Sequence, residues 1–214
     1  MFFLLFGSSC SGKTLALAEL RGRLERLAIH DFDEVGVPAG ADLGWRHRAN
    51  EQWVVRALEY ESEGVDLLLA GQTPMGELLA TPSASRLEAI SACLLDVDDA
   101  TREARLRARG REWLSQAGGS LPDYLNWAGW MRDHAADPRS RVEVIRRGAA
   151  WSEMQWSRWS GWQTGDPRWR VRVIDTSASP VGEVAQELVD WISDERALFR
   201  SAAHPLRGRD LETA

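Results

Sequence analysis

The stretch Phe2-Phe3-Leu4-Leu5-Phe6-Gly7-Ser8-Ser9-Cys10-Ser11-Gly12-Lys13-Thr14-Leu15-Ala16-Leu17-Ala18-Glu19-Leu20 decides the fold. An apolar run of strand length, a loop of the form GxxxxGKT and a helical pattern of leucine and alanine follow one another without a gap. That is the order a phosphate-binding loop requires. Gly7 and Gly12 let the backbone wrap closely, so that N–H groups from Gly7, Ser8, Ser9, Cys10, Ser11 and Gly12 and the following helix N-terminus can face an anion. Lys13 supplies a point charge to the outer phosphates, and the Thr14 hydroxyl can ligate magnesium. The stretch predicts a nucleoside triphosphate site and leaves the second substrate open.

Working outward, Leu15 to Leu27 has helical spacing and Leu27 to Asp33 reads as a short strand. That strand delivers Asp31 and Asp33 at its C-terminal end, on one side because Phe32 separates them, where an open parallel sheet faces its ligand. Trp45 to Leu58 predicts a helix with Arg46 and Arg48 near its start. Val65 to Thr73 is a third strand, apolar enough to be covered on both faces. It ends in Gln72 instead of a Walker B carboxylate, which leaves Asp31 as the candidate acid for Mg2+. Ala92 to Val97 is a fourth strand, followed by a helical run carrying Arg102, Arg105, Arg107, Arg109 and Arg111. Arg105 and Arg109 are spaced i, i+4 and can converge on one anion. Arg170 to Ser177 is the last strand, and Ser179-Pro180 starts a closing helix through Val181, Val184, Leu188 and Ile192.

The predicted class is α/β: a three-layer P-loop NTPase fold with about five parallel strands and helices on both faces. Residues 1–112 and 170–200 form its core. Between 113 and 169 fall eight of the eleven tryptophans, predicting a helical Trp-rich lid or insertion. The spacings 127/130 and 156/159 put ring pairs on one helical face, which suits packing against the core or an aromatic acceptor pocket. Residues 201–214 read as a polar, frayed tail.

Composition bounds the partners. The chain has 214 residues, 44% hydrophobic and 27% charged, with a net charge of −6. One domain with an insertion fits that length, and the acidic balance argues against nucleic acid and anionic membranes as partners. Cys10 and Cys93 are the only cysteines, which suits a reducing cytoplasm and excludes a disulfide framework. The opening apolar run lacks a basic flank and is too short for a secretion signal, and no other segment approaches a membrane span. A monomer or homodimer acting on a small-molecule hydroxyl acceptor is expected.

With these residues in view, the chain resembles small P-loop kinases of the nucleoside-monophosphate-kinase-like group, nearest to shikimate kinase, gluconate kinase and chloramphenicol phosphotransferase. The resemblance covers about residues 1–112 and 170–195. Asp31 and Asp33 match a DxD whose first acid lies on the magnesium side and whose second holds the acceptor hydroxyl. His47-Arg48-Ala49-Asn50-Glu51 keeps the RxxE of an FRxxE motif with His for Phe, which makes Arg48 the implied substrate arginine. Ala70-Gly71-Gln72 stands where the family has GGG, so Gly71 and Gln72 are implied beside the acceptor. Val173 to Ser177 is similar to the last strand and adenine-side loop, implicating Asp175 and Thr176, and Arg105 and Arg109 match arginines entering the lid.

The resemblance implies ATP- and Mg2+-dependent phosphorylation of a sugar-, nucleoside- or antibiotic-like hydroxyl. Asp33 would orient or deprotonate that hydroxyl, while Lys13, Arg105 and Arg109 neutralise developing charge. A nucleoside or nucleotide kinase and an ATP-gated binding protein without transfer stay open as alternatives. Signalling GTPases and motors are disfavoured, because there is no NKxD guanine signature and no Walker B acid on the third strand.

Overall fold

Five strands, β1 (Phe2–Phe6), β2 (Leu27–Asp31), β3 (Asp66–Gly71), β4 (Ile90–Asp96) and β5 (Val171–Asp175), pair in parallel in the order β2-β3-β1-β4-β5. They belong to a computed structural model that describes residues 1–110, 119–147 and 150–212. Every residue of β1 is buried, as a central parallel strand covered on both faces demands. Its side chains alternate between two cores. Phe2, Leu4 and Phe6 join Leu67, Leu69, Ala92 and Leu94 on one face, whereas Phe3 and Leu5 join Leu68, Ala70, Cys93 and Leu95 on the other.

The second face is covered by α1 (Lys13–Leu20) and α8 (Val181–Arg200), through Ala16, Leu17, Leu20, Val184, Leu188 and Ile192. The first face is covered by α2 (Leu43–Ser62), α3 (Met75–Leu79), α5 (Leu121–Ala136) and the tryptophan-rich chain after it. Helix α4 (Asp99–Ala108) leaves the end of β4, capped by Asp98, whose carboxylate accepts from the Thr101 N–H at 2.8 Å. Two single turns, α6 (Glu143–Arg146) and α7 (Ser157–Ser160), complete the helices among the described residues. The three-layer α/β class with a parallel five-stranded sheet is as expected.

Several boundaries differ from the sequence reading. Helix α1 stops at Leu20, seven residues short of the expected Leu27, because Arg21 turns to extended backbone and Gly22 takes φ 79, while β2 starts at Leu27 as expected. Strand β2 ends at Asp31, and Phe32–Val35 form a 3-10 turn in which the Asp31 side chain accepts from the Asp33 N–H at 3.1 Å. Pro180, expected inside the last helix, is its N-cap.

The tryptophans between α4 and β5 answer the choice between packing and pocket mostly as packing. Trp130, Trp159, Trp162 and Trp169 are buried in the first core, where rings of this size dominate burial. Three of the four indole N–H groups find carbonyls: Trp159 donates to Gly76 at 2.9 Å, Trp169 to His134 at 3.1 Å and Trp130 to Arg141 at 3.2 Å. Arg158 fastens the same segment to the carbonyls of Leu79, Thr81 and Pro82. The expected entry to a lid, with Arg111, Glu112 and Trp113, lies outside the described residues.

The frayed tail is also corrected, as far as the described residues to Glu212 go. Residues Gly208–Leu211 form a 3-10 turn packed on Pro82–Arg86, with Leu206 and Leu211 buried. The Ile90 N–H donates to the Leu206 carbonyl at 3.2 Å and Gly208 donates to Leu87 at 3.0 Å. A Cβ on Gly208 would stand 2.1 Å from the Leu87 oxygen, so only glycine allows this approach. Two leucines among polar neighbours were enough to dock the segment, which composition alone conceals.

Candidate active site

The loop Gly7–Thr14 leaves the C-terminal end of central β1 and enters α1 at Lys13, the position where open α/β sheets place their ligands. Gly7 is squeezed between strands: a Cβ there would meet the Leu95 carbonyl oxygen at 2.4 Å. Gly12 takes φ 93, and Cys10 adopts the left-handed region at φ 65, an uncommon conformation for a non-glycine residue. Helix α1 starts without a side-chain cap and without an acid in its first turn. Its first N–H groups therefore have no intrahelical acceptor and face the concavity of the loop.

Lys13 folds back over that loop. Its Nζ donates to the Gly7 carbonyl at 2.7 Å, the Ser8 carbonyl at 3.1 Å and the Ser11 Oγ at 3.3 Å. Burial is the largest influence on this ammonium and lowers its pKa from 10.5 to about 8, with Arg102 and Arg109 lowering it and Asp31 and Cys10 opposing. A cation held at such a cost is poised for an anion. Thr14 and Leu15 are exposed at the mouth of the loop.

Asp31 and Asp33 lie across from Lys13 and feel its charge. The Asp33 carboxyl is raised above its usual range, first by burial and then by Asp31, with Lys13 opposing. Phe32 between them packs against β3 so closely that a Cβ on Gly71 would fall 2.7 Å from its own Cβ. Gly71 thus serves to seat Phe32. Gln72 is exposed beside it.

Beside the loop lies a cleft of about 290 Å³ whose lining includes Leu15, Arg105, Arg109, Thr176 and Val181. Leu15 and Val181 are among the exposed large apolar side chains, so the cleft has apolar walls open to a ligand. Arg105 donates to the Cys10 carbonyl at 3.1 Å and the Thr176 carbonyl at 2.7 Å, while the Thr176 hydroxyl lies 3.0 Å from the carbonyls of both Ser11 and Asp96. Asp175 is exposed and accepts from the Ser177 N–H at 2.9 Å, shaping the same turn. Arg105 and Arg109 thus line one cleft together, beside the loop.

Arg102 is a contributor that sequence reasoning missed. It is wholly buried and joins three segments, donating to the Ser9 carbonyl at 2.7 Å, Asp96 Oδ1 at 2.9 Å and the Val97 carbonyl at 3.3 Å. Asp96 also holds Arg132 of α5 at 2.9 Å. The i, i+3 spacing of Arg102 and Arg105 was the available signal: the two donate to successive loop carbonyls, those of Ser9 and Cys10.

Arg48 of the expected RxxE falls on the exposed face of α2. Glu51 of the same motif accepts from the Ser83 N–H at 3.1 Å and its hydroxyl at 2.6 Å, holding the turn Pro82–Arg86. Arg46 takes the inward direction that Arg48 does not. It is ion-paired with Glu77 of α3, which is completely buried, and its guanidinium lies 5.4 Å from the centre of the Trp127 ring. Burial alone would raise the Glu77 carboxyl, but Arg46 and His47 overcome this and hold it below its usual range. Asn50 bridges the group, its Nδ2 3.4 Å from Glu77 and its Oδ1 accepting from the Thr73 hydroxyl at 2.9 Å.

These contacts run in a circuit around the end of the sheet. Phe32 meets Trp45 edge-on at 5.9 Å, Arg46 follows Trp45 and lies over Trp127, and Tyr124, one turn earlier on α5, offers its carbonyl to the Ser8 hydroxyl at 3.4 Å. Trp127 stacks on Trp130 at 4.9 Å and Trp130 on His134 at 4.7 Å, so the column continues into the core.

A second cleft, of about 380 Å³, opens at the opposite end of β4 and β5. There Ser91, His204 and Glu195 lie together with Arg170, and the types invite comparison with a hydrolytic triad. The His204 Nδ1 accepts from the Leu206 N–H at 3.3 Å, so the ring proton sits on Nε2, 2.8 Å from Ser91 Oγ. That tautomer cannot take the serine proton, and the Ser91 hydroxyl donates to Glu195 instead. The cluster ties α8 and the C-terminal segment to β4.

No protein-family model matches the chain, and no curated protein does. Among solved structures, the fold is similar to a candidate kinase from Chloroflexus aurantiacus, with 14% identity, 90% of this chain and 96% of that chain covered, and a TM-score of 0.51. A sugar kinase from Janibacter shows 13% identity over 92% and 96% of the chains, TM-score 0.49, and thymidylate kinase from Candida albicans 9% over 91% and 92%, TM-score 0.46. The likeness in fold rests on the first of these.

Proposed function

We propose that the chain transfers the γ-phosphoryl group of MgATP to a hydroxyl of a small molecule. The observation that carries this reading is a self-closed GxxxxGKT loop, with a buried Lys13 ammonium, facing a pair of carboxylates across the end of the sheet. The residues fit the nucleotide. The uncapped start of α1 offers donors, and the lysine's own go to the Gly7 and Ser8 carbonyls and the Ser11 hydroxyl, whose place phosphate oxygens would take. The cleft of Leu15, Val181 and the two arginines fits a flat base, with no side-chain carboxylate or amide among its described lining residues.

Thr14 and Asp31 would hold Mg2+, which supplies charge neutralisation at the outer phosphates. Asp33 accepts a hydrogen bond from the acceptor hydroxyl and takes its proton as the new oxygen–phosphorus bond forms and the bond to the β-phosphate oxygen breaks, releasing ADP. Its raised pKa brings it closer to the range useful for a base. Lys13 follows the charge that develops on the outer phosphates. Arg102 positions the loop through the Ser9 carbonyl, and Arg105 and Arg109 hold the nucleotide's base side. The test is ADP release from MgATP across hydroxylated acceptors, with Lys13→Ala as control. Acceptor-dependent ADP that vanishes in the variant supports the reading, whereas tight ATP binding with no acceptor-dependent ADP overturns it.

A further inference from the structure

The acceptor side of the circuit carries two cations, Lys13 and Arg46. Lys13 belongs to the phosphate loop. Arg46 is the inward-facing arginine of α2, the position from which an acceptor's carboxylate or phosphate would be read. Its charge is already matched by Glu77, which has no exposure to solvent and which His47 and Asn50 also face. The His47 Nδ1 accepts from the Trp151 N–H at 3.3 Å, which directs the ring's Nε2 proton toward Glu77, 3.7 Å away. Arg102 and Arg132 are matched in the same way, by Asp96, while Arg105 donates to the carbonyls of Cys10 and Thr176 and, with Arg109, lines the cleft on the far side of the loop. Against these stand Asp31 and Asp33. The walls are aromatic, with the rings of Trp45 and Trp127 half-buried and that of Phe32 behind them.

From this balance we infer that the acceptor is a hydroxyl compound with no anionic group and with an apolar or ring-shaped body, since a buried carboxylate already cancels Arg46, the arginine of α2 that turns inward. The inference rests on the phosphoryl-transfer reading. An anionic acceptor would enter beside two carboxylates and the outer phosphates and, among the described residues of the circuit, meet one cation held by the nucleotide and one held by Glu77, and like-charge juxtaposition of that kind is strongly selected against. A neutral or cationic acceptor meets no such penalty.

The experiment measures ADP release by the full chain with MgATP across matched acceptors that share a body: an alditol and its aldonate, a nucleoside and its 5′-monophosphate, an aryl amino-diol and its carboxylate counterpart. Within each pair that reacts, kcat/KM for the uncharged or cationic member is expected to exceed that of the anionic member by about tenfold or more. Preference for the anionic member overturns the inference and leaves phosphoryl transfer standing. ADP release no higher than in Lys13→Ala with every acceptor overturns the transfer reading, and this inference falls with it. In Glu77→Gln, which frees the Arg46 charge, the ratio of anionic to uncharged kcat/KM is expected to rise about tenfold, and an unchanged ratio in a folded variant removes Glu77 as its cause. Should Glu77→Gln fail to fold, the wild-type ratios decide.

Discussion

Binding of ATP should draw a proton from solvent, and Lys13 is where it goes. With a pKa of about 8 in the self-closed loop, the Lys13 ammonium is about half protonated at pH 8 and about nine-tenths protonated at pH 7. Phosphate oxygens that replace the carbonyls of Gly7 and Ser8 bring full negative charge to Nζ and move its pKa back toward 10.5. Uptake should then be about 0.5 proton per site at pH 8 and about 0.1 at pH 7. Above pH 8 affinity should weaken by close to tenfold per pH unit until the bound-state pKa is reached. Titration calorimetry with MgATP, in buffers of different ionisation enthalpy and a Cys10→Ser background, reads the protons directly. Lys13→Arg keeps its charge at every pH and should show no uptake. Less than about 0.1 proton at pH 8 in the parent would refute the reasoning. For the free protein the sign runs the other way: between about pH 8 and 10.5 the unfolded chain keeps a proton that the folded one has lost, so this group's contribution to stability rises with pH.

Asp33→Asn should lower turnover by about a hundredfold or more while ATP affinity stays within a few-fold. Because the Asp33 carboxyl of the free protein is raised, the acid limb of the parent's kcat/KM profile should lie above the ordinary carboxylate range and vanish in the variant, and unchanged turnover removes the base assignment. Gly76→Ala places a Cβ 2.7 Å from both His134 Nε2 and the Trp159 ring, so urea unfolding should show a loss of about 1–3 kcal/mol despite alanine's better helix propensity. Equal or higher stability contradicts the packing of the tryptophan layer. Leu206→Ala should cost about 2–4 kcal/mol by the same measurement if the C-terminal segment is docked, and next to nothing if it is frayed.

What the sequence determined by itself was whatever local order encodes. The apolar β1, the eight residues after it and the start of α1 are contiguous, and their spacing alone demands a phosphate loop at the end of a buried strand. The alternating and continuous apolar runs likewise announced five strands and a parallel sheet. Boundaries slipped where a single backbone conformation intervened, as at Gly22 and in the turn after Asp31. Tertiary structure alone decided which charges meet. Arg102 reaches Ser9 across 93 positions, the Thr176 hydroxyl reaches Ser11 across 165, and Glu77 cancels Arg46 across 31. An arginine on an amphipathic helix has no local mark showing whether it faces solvent, a backbone carbonyl or a buried carboxylate. That choice is made by the packing of helices on the sheet, which turned Arg48 outward and Arg46 inward, and a lone pair of charges becomes consequential only once burial strips away the water that would screen it.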